Sequence, residues 1–220
     1  MKRVILLTLL VIILTSSSCK FGHHSGVRGS GTRKTEAREL KAFKTIDTTG
    51  SFEINITAQK PASFEIEADD NIVPLIKTEV RGDTLFVTTE QSINPSRSVR
   101  LRVTLPELAA VTSRGAGEIN IVDANSDSLK LESLGAASIE AAGKAKTVTI
   151  SSTGAGKVDA GNLIAEKANV DVKGAASVEV NASEQLDVTV AGAGSVQYSG
   201  NPKVVNKHVS GIGSVSSKSE

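Results

Sequence analysis

SRGAGEI (113–119), SLGAASI (133–139), STGAGKV (152–158), VKGAASV (172–178), VAGAGSV (190–196) and VSGIGSV (209–215) are six versions of one phrase. Their first glycines, Gly115, Gly135, Gly154, Gly174, Gly192 and Gly211, are spaced by 20, 19, 20, 18 and 19 residues, the interval of a solenoid repeat.

A strand alternates its side chains between two faces and a helix does not, so the residues around each glycine identify the element. Four positions after it stand Ile119, Ile139, Val158, Val178, Val196 and Val215, all β-branched. Four positions before it stand Val111, Leu131, Ile150, Val170 and Val188, and only Lys207 in the last repeat departs. Two positions after it the residue is always small: Gly117, Ala137, Gly156, Ala176, Gly194 and Gly213. The odd offsets are mostly polar, with Thr112, Glu132, Ser151, Asp171, Thr189 and His208 before the glycine and Asn120, Glu140, Asp159, Glu179, Gln197 and Ser216 after it.

One dry face and one wet face on each side of a glycine pair predict a coil of strand, tight corner and strand. The remaining residues are expected to close the coil through turn formers at 123–125, Ala142-Gly143, Gly161-Asn162, 181–183 and 199–202. A coil of about 19–20 residues that returns to its starting point lays each strand on its predecessor at roughly 4.8 Å in parallel register, so six coils rise about 25–30 Å. The alternation, the glycines and the branched aliphatics argue against a helical repeat of the same length. The fold class is therefore all-β, a parallel β-helix or solenoid over 111–217, preceded by an N-terminal β lobe or cap.

Composition agrees with a narrow interior. Of 220 residues 39% are apolar but only 3% aromatic, with no Trp. The formal charge is +1, and without Lys2 and Arg3 it becomes −1, so no nucleic-acid partner is indicated.

The first residues, MKRVILLTLLVIILTSSSC, carry two cations, an apolar run from Val4 to Leu14 and small residues ending at Cys19. This is the layout of an export signal over 1–18, too short in its apolar run to span a bilayer. The single cysteine cannot form an internal disulfide. The leader resembles a bacterial lipoprotein signal, which implies that Cys19 becomes the lipidated first residue, although Ser16 stands where that family commonly has a Leu. Residues 19–41, with FGHHSGVRGSGTRK, read as a flexible tether, and His23 and His24 in it as solvated side chains.

The 43–110 region reads as strands. FKTIDTTGSFEINIT alternates, and Gly50, Ile54 and Ile56 occupy the frame of the later coils, as in a degenerate first coil. SFEIEA (63–68) reads as a second strand, and the segment around Pro74 as a turn with a short irregular or helical stretch. Arg81-Gly82-Asp83 between IKTEV and TLFVTTE marks a hairpin, and RLRVTLPELAAV (100–111) a further strand entering the repeat. The Arg-Gly-Asp tripeptide also matches an integrin-binding signal, but Gly-Asp is sufficiently explained as turn chemistry.

With FKTIDTTGSFEINIT, EADDNIVPLIKTEV (67–80) and the recurring GAG and GAAS phrases, residues 43–215 resemble the head GIN domain family of auto-transporter adhesins. The resemblance implies a β-helical cell-envelope protein, lipid-anchored in Bacteroidetes-like bacteria, and carries no catalytic residues with it.

The one stacked chemical feature is Glu140, Asp159 and Glu179, at the same offset in successive coils. Carboxylates about 5 Å apart raise one another's proton affinity or attract a cation, and stacked coils support glycan-cleaving enzymes with such sets. Lys157 on the same face, with Lys144 and Lys146 near it, offers neutralisation instead. No Ser/His/Asp set can be assembled, and the corner glycines lack the lysine and helix of a phosphate loop. The reading is a non-catalytic, adhesin-like binding or structural module without cofactor or metal. It is held at the cell envelope by a lipid anchor, in the outer membrane facing the periplasm or the surface, with a glycan or protein of the envelope as partner. Two alternatives stay open: a carbohydrate-active enzyme using the acidic ladder, and a scaffold that forms homo-oligomers through the last repeat, Lys207 to Ser217.

Overall fold

Branched aliphatics at alternate positions favour extended backbone, and glycine at each corner lets the chain reverse against the coil beneath it. A computed structural model of the chain describes residues 26–218. Its first strands are β1 (Val27–Arg28), β2 (Arg33–Ala37), β3 (Thr45–Thr49), β4 (Glu53–Thr57), β5 (Ser63–Asp69), β6 (Ile76–Arg81), β7 (Thr84–Thr89), β8 (Ile93–Asn94) and β9 (Arg100–Thr104). The repeat supplies β10 (Ala110–Arg114), β11 (Glu118–Ser133), β12 (Ser138–Gly154), β13 (Lys157–Gly174), β14 (Ser177–Gly192), β15 (Ser195–Ser199), β16 (Val204–Gly211) and β17 (Ser214–Ser217). All but β1 and β8, which pair with each other, belong to one sheet of fifteen strands. The six corners enclose about five turns of a β-solenoid.

The stacking follows the repeat residue for residue. Ile119, Ile139, Val158, Val178 and Val196 pair successively in parallel, and so do Val111, Leu131, Ile150, Val170 and Val188. Every one of these side chains is buried, each contributing about 1.5–3 kcal/mol relative to exposure. From the Gly135 corner onward the residue after each glycine donates to the glycine carbonyl one coil below, as Ala175 N does to Gly154 O at 2.9 Å. Gly174 has φ +119°, and a Cβ there would lie 2.5 Å from that same carbonyl oxygen, so only glycine fits.

Between corners the strands do not stop where turn formers stand. β11 to β14 each run for 16–18 residues, bending through register shifts near Ile121/Ala124, Glu140/Ala142 and Ala160/Ile164. Asp123 (φ +57°) and Gly143 (φ +136°) make the bends. Hydrogen bonds from the neighbouring coil hold the ladder together across residues that alone would form turns, so these closures are bulges. At 199–202 the strand does break, because Pro202 has no N–H to contribute.

The region before the repeat continues the same sheet. Ile46 pairs with Val111 and Ile54 with Ile119, and the carbonyl of Gly50 lies beneath Gly115, so 45–57 is a coil with the frame expected of it. β7 and β9 add one more parallel layer below β3 and β4. Antiparallel β6 then covers β7, and antiparallel β5 and β2 cover β9. The expected single strand at 100–111 is two, β9 and β10, because Leu105 and Leu108 turn into the core and Pro106 breaks the ladder between them. Pro74 lies in a one-turn 3-10 helix, Val73–Leu75, and Gly82-Asp83 forms the hairpin turn between β6 and β7.

Within the stretch read as tether, residues 27–37 contain two strands. β1 lies beside β8, and β2 beside β5. Asp69, fully buried, fastens this strap: it accepts from the Gly31 amide at 2.9 Å, the Ser96 amide at 2.9 Å and the Ser96 hydroxyl at 2.5 Å. Asn71 adds a bond from the Ser30 amide and one to the Arg28 carbonyl. The leader, Cys19, His23 and His24 lie outside the described residues. Among the described residues no helix is long and apolar enough to cross a membrane.

Candidate functional site

Outward positions of the post-glycine strands place Asn120, Glu140, Asp159, Glu179 and Gln197 in direct register, one per coil. The acidic column expected at Glu140, Asp159 and Glu179 is therefore a true stack. Its members do not converge on one point. Asp159 binds Lys157 Nζ at 3.1 Å and accepts from the Gly161 amide at 3.3 Å, while Glu179 is taken by Lys218, which arrives from the C-terminal end. Glu140 is exposed and makes no ion pair among the described residues. The Lys218 ammonium is held above its usual value by the hydrogen bond and charge of Glu179, with Asp159 adding to it. Asp159, Glu179 and Lys218 line a recess together with Asn181, which donates to the Gly161 carbonyl at 3.3 Å.

Lys144 and Lys146 stand on the adjoining side of the coil, across the bend, and Lys146 pairs with Asp127 at 2.7 Å instead of approaching the column. Among the described residues no group of three or more His, Cys, Asp or Glu is placed to hold a metal ion.

The rest of the wet face repeats one local device. A cation and a carboxylate two residues apart on a strand share a face, and they close on each other: Lys130–Glu132 at 3.2 Å, Lys173–Asp171 at 2.9 Å and Lys34–Glu36 at 2.9 Å. In the N-terminal layers the pairing crosses strands, with Arg100 on Glu53 at 2.7 Å and Arg102 on Glu67 at 2.7 Å. The Arg100 hydrogen bond holds the Glu53 carboxyl below the usual carboxylate range. Exposed pairs of this kind contribute about 0–1 kcal/mol each, so their main effect is a surface with little net field. Arg81 of the Arg-Gly-Asp turn is also committed, gripping Glu79 at 2.6 Å and lying 5.5 Å from the centre of the Phe86 ring.

The last coil differs from the others. Lys207, the exception in the aliphatic column, reaches Tyr198 Oη at 3.2 Å and the Val215 carbonyl at 3.4 Å, with its ammonium 4.7 Å from the Tyr198 ring centre. Ile212 occupies the corner position held by Ala116, Ala136, Ala155, Ala175 and Ala193 in the coils below, and is 89% exposed. The six phrases contain that contrast, one isoleucine against five alanines, but reading them for inward and outward parity passes over a corner residue that belongs to neither face.

The architecture recurs in solved structures. A crystal structure from Bacteroides fragilis NCTC 9343, titled as a putative adhesin, shares 25% identity over 88% of this chain and 100% of that one, with TM-score 0.73. A Parabacteroides distasonis ATCC 8503 structure titled as a putative lipid binding protein (19% identity, 89% and 100% coverage, TM-score 0.55) has the same fold. So does a Parabacteroides merdae ATCC 43184 structure titled as a putative adhesin (17% identity, 89% and 100% coverage, TM-score 0.54). A comparison with curated protein sequences gives no match. The model of the family described as "Putative auto-transporter adhesin, head GIN domain" matches residues 42–202, and the chain belongs to that family.

Proposed function

We propose that the protein is a non-catalytic, adhesin-like binding module of the cell envelope, held there by a lipid on Cys19. The observation that carries this reading is the layout of the wet face. Many of its charges are paired in place, along strands and across them, and spread over a broad sheet, an arrangement suited to contact over area rather than to attack on one bond. The adhesin description of the family and of the B. fragilis relative supports the same reading.

Cells displaying the full chain are expected to be retained on immobilised glycan or protein arrays. Cys19→Ala is expected to release the chain into the medium and abolish retention. Glu140→Gln with Asp159→Asn and Glu179→Gln is expected to leave retention unchanged. Glycan cleavage by the wild type that this triple variant lacks would overturn the reading, as would a Cys19→Ala chain that stays in the membrane fraction.

A further inference from the structure

The two ends of the solenoid are finished differently. At the N-terminal end the outer strands carry closed ion pairs, Lys34–Glu36 on β2, joined by Arg38 just after it, and Arg81–Glu79 on β6, and both run antiparallel to their neighbours. Charged side chains on an outermost strand blunt it against further pairing. At the C-terminal end β16 and β17 are held from below by β14 and β15, and nothing among the described residues covers their other edge.

That open edge is apolar. Of the five large hydrophobic side chains that the described residues expose, three belong to this coil: Val204 at 48%, Val209 at 41% and Ile212 at 89%. Ile212 packs on nothing that would explain it, since alanine serves the same corner in five coils. A shallow recess between Tyr198, Pro202, Val205 and Ser217 opens at the opposite end of this coil from the corner.

The edge is also basic. From Asn201 to Lys218 there are three lysines and His208 but no Asp or Glu. Lys203 is answered by Glu184 of the coil below, and Lys218 by Glu179, two coils below. Lys207 is not: among the described residues it stands in the stacking column with only the Tyr198 ring and hydroxyl and a backbone carbonyl as partners. A strand added on β16 would set a side chain directly over Lys207, and a carboxylate is the group that site lacks.

We infer that the open edge of β16 and β17 takes an extended acidic segment of a partner protein as an added strand, with apolar residues against Val209 and Ile212 and a carboxylate over Lys207. Main-chain hydrogen bonds along the eight residues of β16 supply the affinity and the side chains supply the choice. A second copy of the chain is a poorer occupant. Tail to tail, its described residues 201–218 bring no carboxylate to this edge. In the full-length antiparallel register it sets Lys207 against His208.

This rests on the reading as a binding module but not on the lipid anchor. The test uses the full chain and a fluorescent eight-residue peptide, Thr-Val-Thr-Glu-Thr-Val-Thr-Thr, which sets one glutamate between two valines on a single face as Lys207 stands between Val205 and Val209, with a lysine-for-glutamate peptide as control. The acidic peptide is expected to bind at least tenfold more tightly than the control. Ile212→Ser, which removes an exposed side chain and leaves the core intact, and Lys207→Gln are each expected to weaken it about tenfold. Amide exchange is expected to slow within 204–217 alone. Equal binding of the two peptides, no binding, or protection elsewhere overturns the inference. So does self-association that Ile212→Ser removes, which makes a second copy the occupant, or binding to phosphatidylglycerol vesicles without peptide binding, which makes it a membrane. Failure of cells displaying the wild-type chain to be retained, with peptide binding intact, would sink the adhesin-like reading and spare this edge.

Discussion

The Cγ1 methyl of Val172 occupies the space that a Cβ on Gly194 would need, 2.5 Å away, although the two residues belong to successive coils. The same offset relates Val190 to Gly213, where the approach is 2.6 Å. Lower in the stack the inward residue is serine, at Ser113, Ser133 and Ser152, and two of the three positions facing them carry alanine, Ala137 and Ala176. Valine facing glycine and serine facing alanine are two ways of filling one gap at close-packed density.

Gly194→Ala is expected to destabilise by about 1–3 kcal/mol through overpacking. Val172→Ser leaves a buried hydroxyl and a gap, and is expected to cost about as much. Together they recreate the pairing of Ser152 with Ala176, so the double variant is expected to lose less than the sum, with a coupling of about 0.5–3 kcal/mol in urea denaturation. Additive losses would show that the two side chains do not share a gap.

The Oγ atoms of Ser133 and Ser152 are buried without a hydrogen-bond partner. Opposite Ser133 is Gly156, which leaves room for a branched side chain, whereas opposite Ser152 is Ala176. Ser133→Val is therefore expected to stabilise by about 1 kcal/mol, by removing an unsatisfied hydroxyl. Ser152→Val is expected to destabilise by about 1–3 kcal/mol, and pairing it with Ala176→Gly to recover most of that loss. Thermal melts of the three variants distinguish these outcomes.

Asp69 links stability to pH. The hydroxyl of Ser96 that donates to it holds its carboxyl below the ordinary value, against the opposing effect of burial, and the amides of Ser96 and Gly31 and the charge of Arg33 add to the lowering. A carboxyl lowered in the folded state contributes its full stability above its unfolded value and loses it as pH falls through the folded one. Asp69→Asn is expected to cost about 2 kcal/mol at neutral pH, the scale of hydrogen bonds to a charged group. Urea midpoints of the variant are expected to fall less than those of wild type between neutral and acidic pH. The remaining acid dependence comes from Glu36, Glu53 and Glu79, lowered chiefly by Lys34, Arg100 and Arg81 against the opposing effect of burial, and from Glu67, where burial is outweighed by neighbouring cations, Arg33 foremost. An unchanged pH dependence would show that the clasp does not contribute.

The inward columns were legible in the sequence because each is built by local alternation, and stacking only multiplies it. What escaped was supplied from a distance. Strand β2 has little alternation of its own, and its pairing depends on β5, about thirty residues away along the chain, and on the Asp69 clasp. The bends at Asp123 and Gly143 carry turn chemistry, but neighbouring coils bond through them and override it. The acidic column followed directly from the period. That Lys218 rather than Lys144 or Lys146 answers Glu179 depends on where the last coil ends, which no local spacing reveals.

The winding of the chain is tested most directly by distances up one outward column, Glu118, Ser138, Lys157, Ser177, Ser195 and Ser214, whose members pair in sequence. With one spin label at Glu118→Cys and a second moved in turn to Lys157→Cys, Ser177→Cys, Ser195→Cys and Ser214→Cys, the separation is predicted to grow by about 5 Å at each step. Separations that stall, reverse or grow by the length of a helical hairpin would contradict a solenoid, and with it the open end proposed as a binding edge.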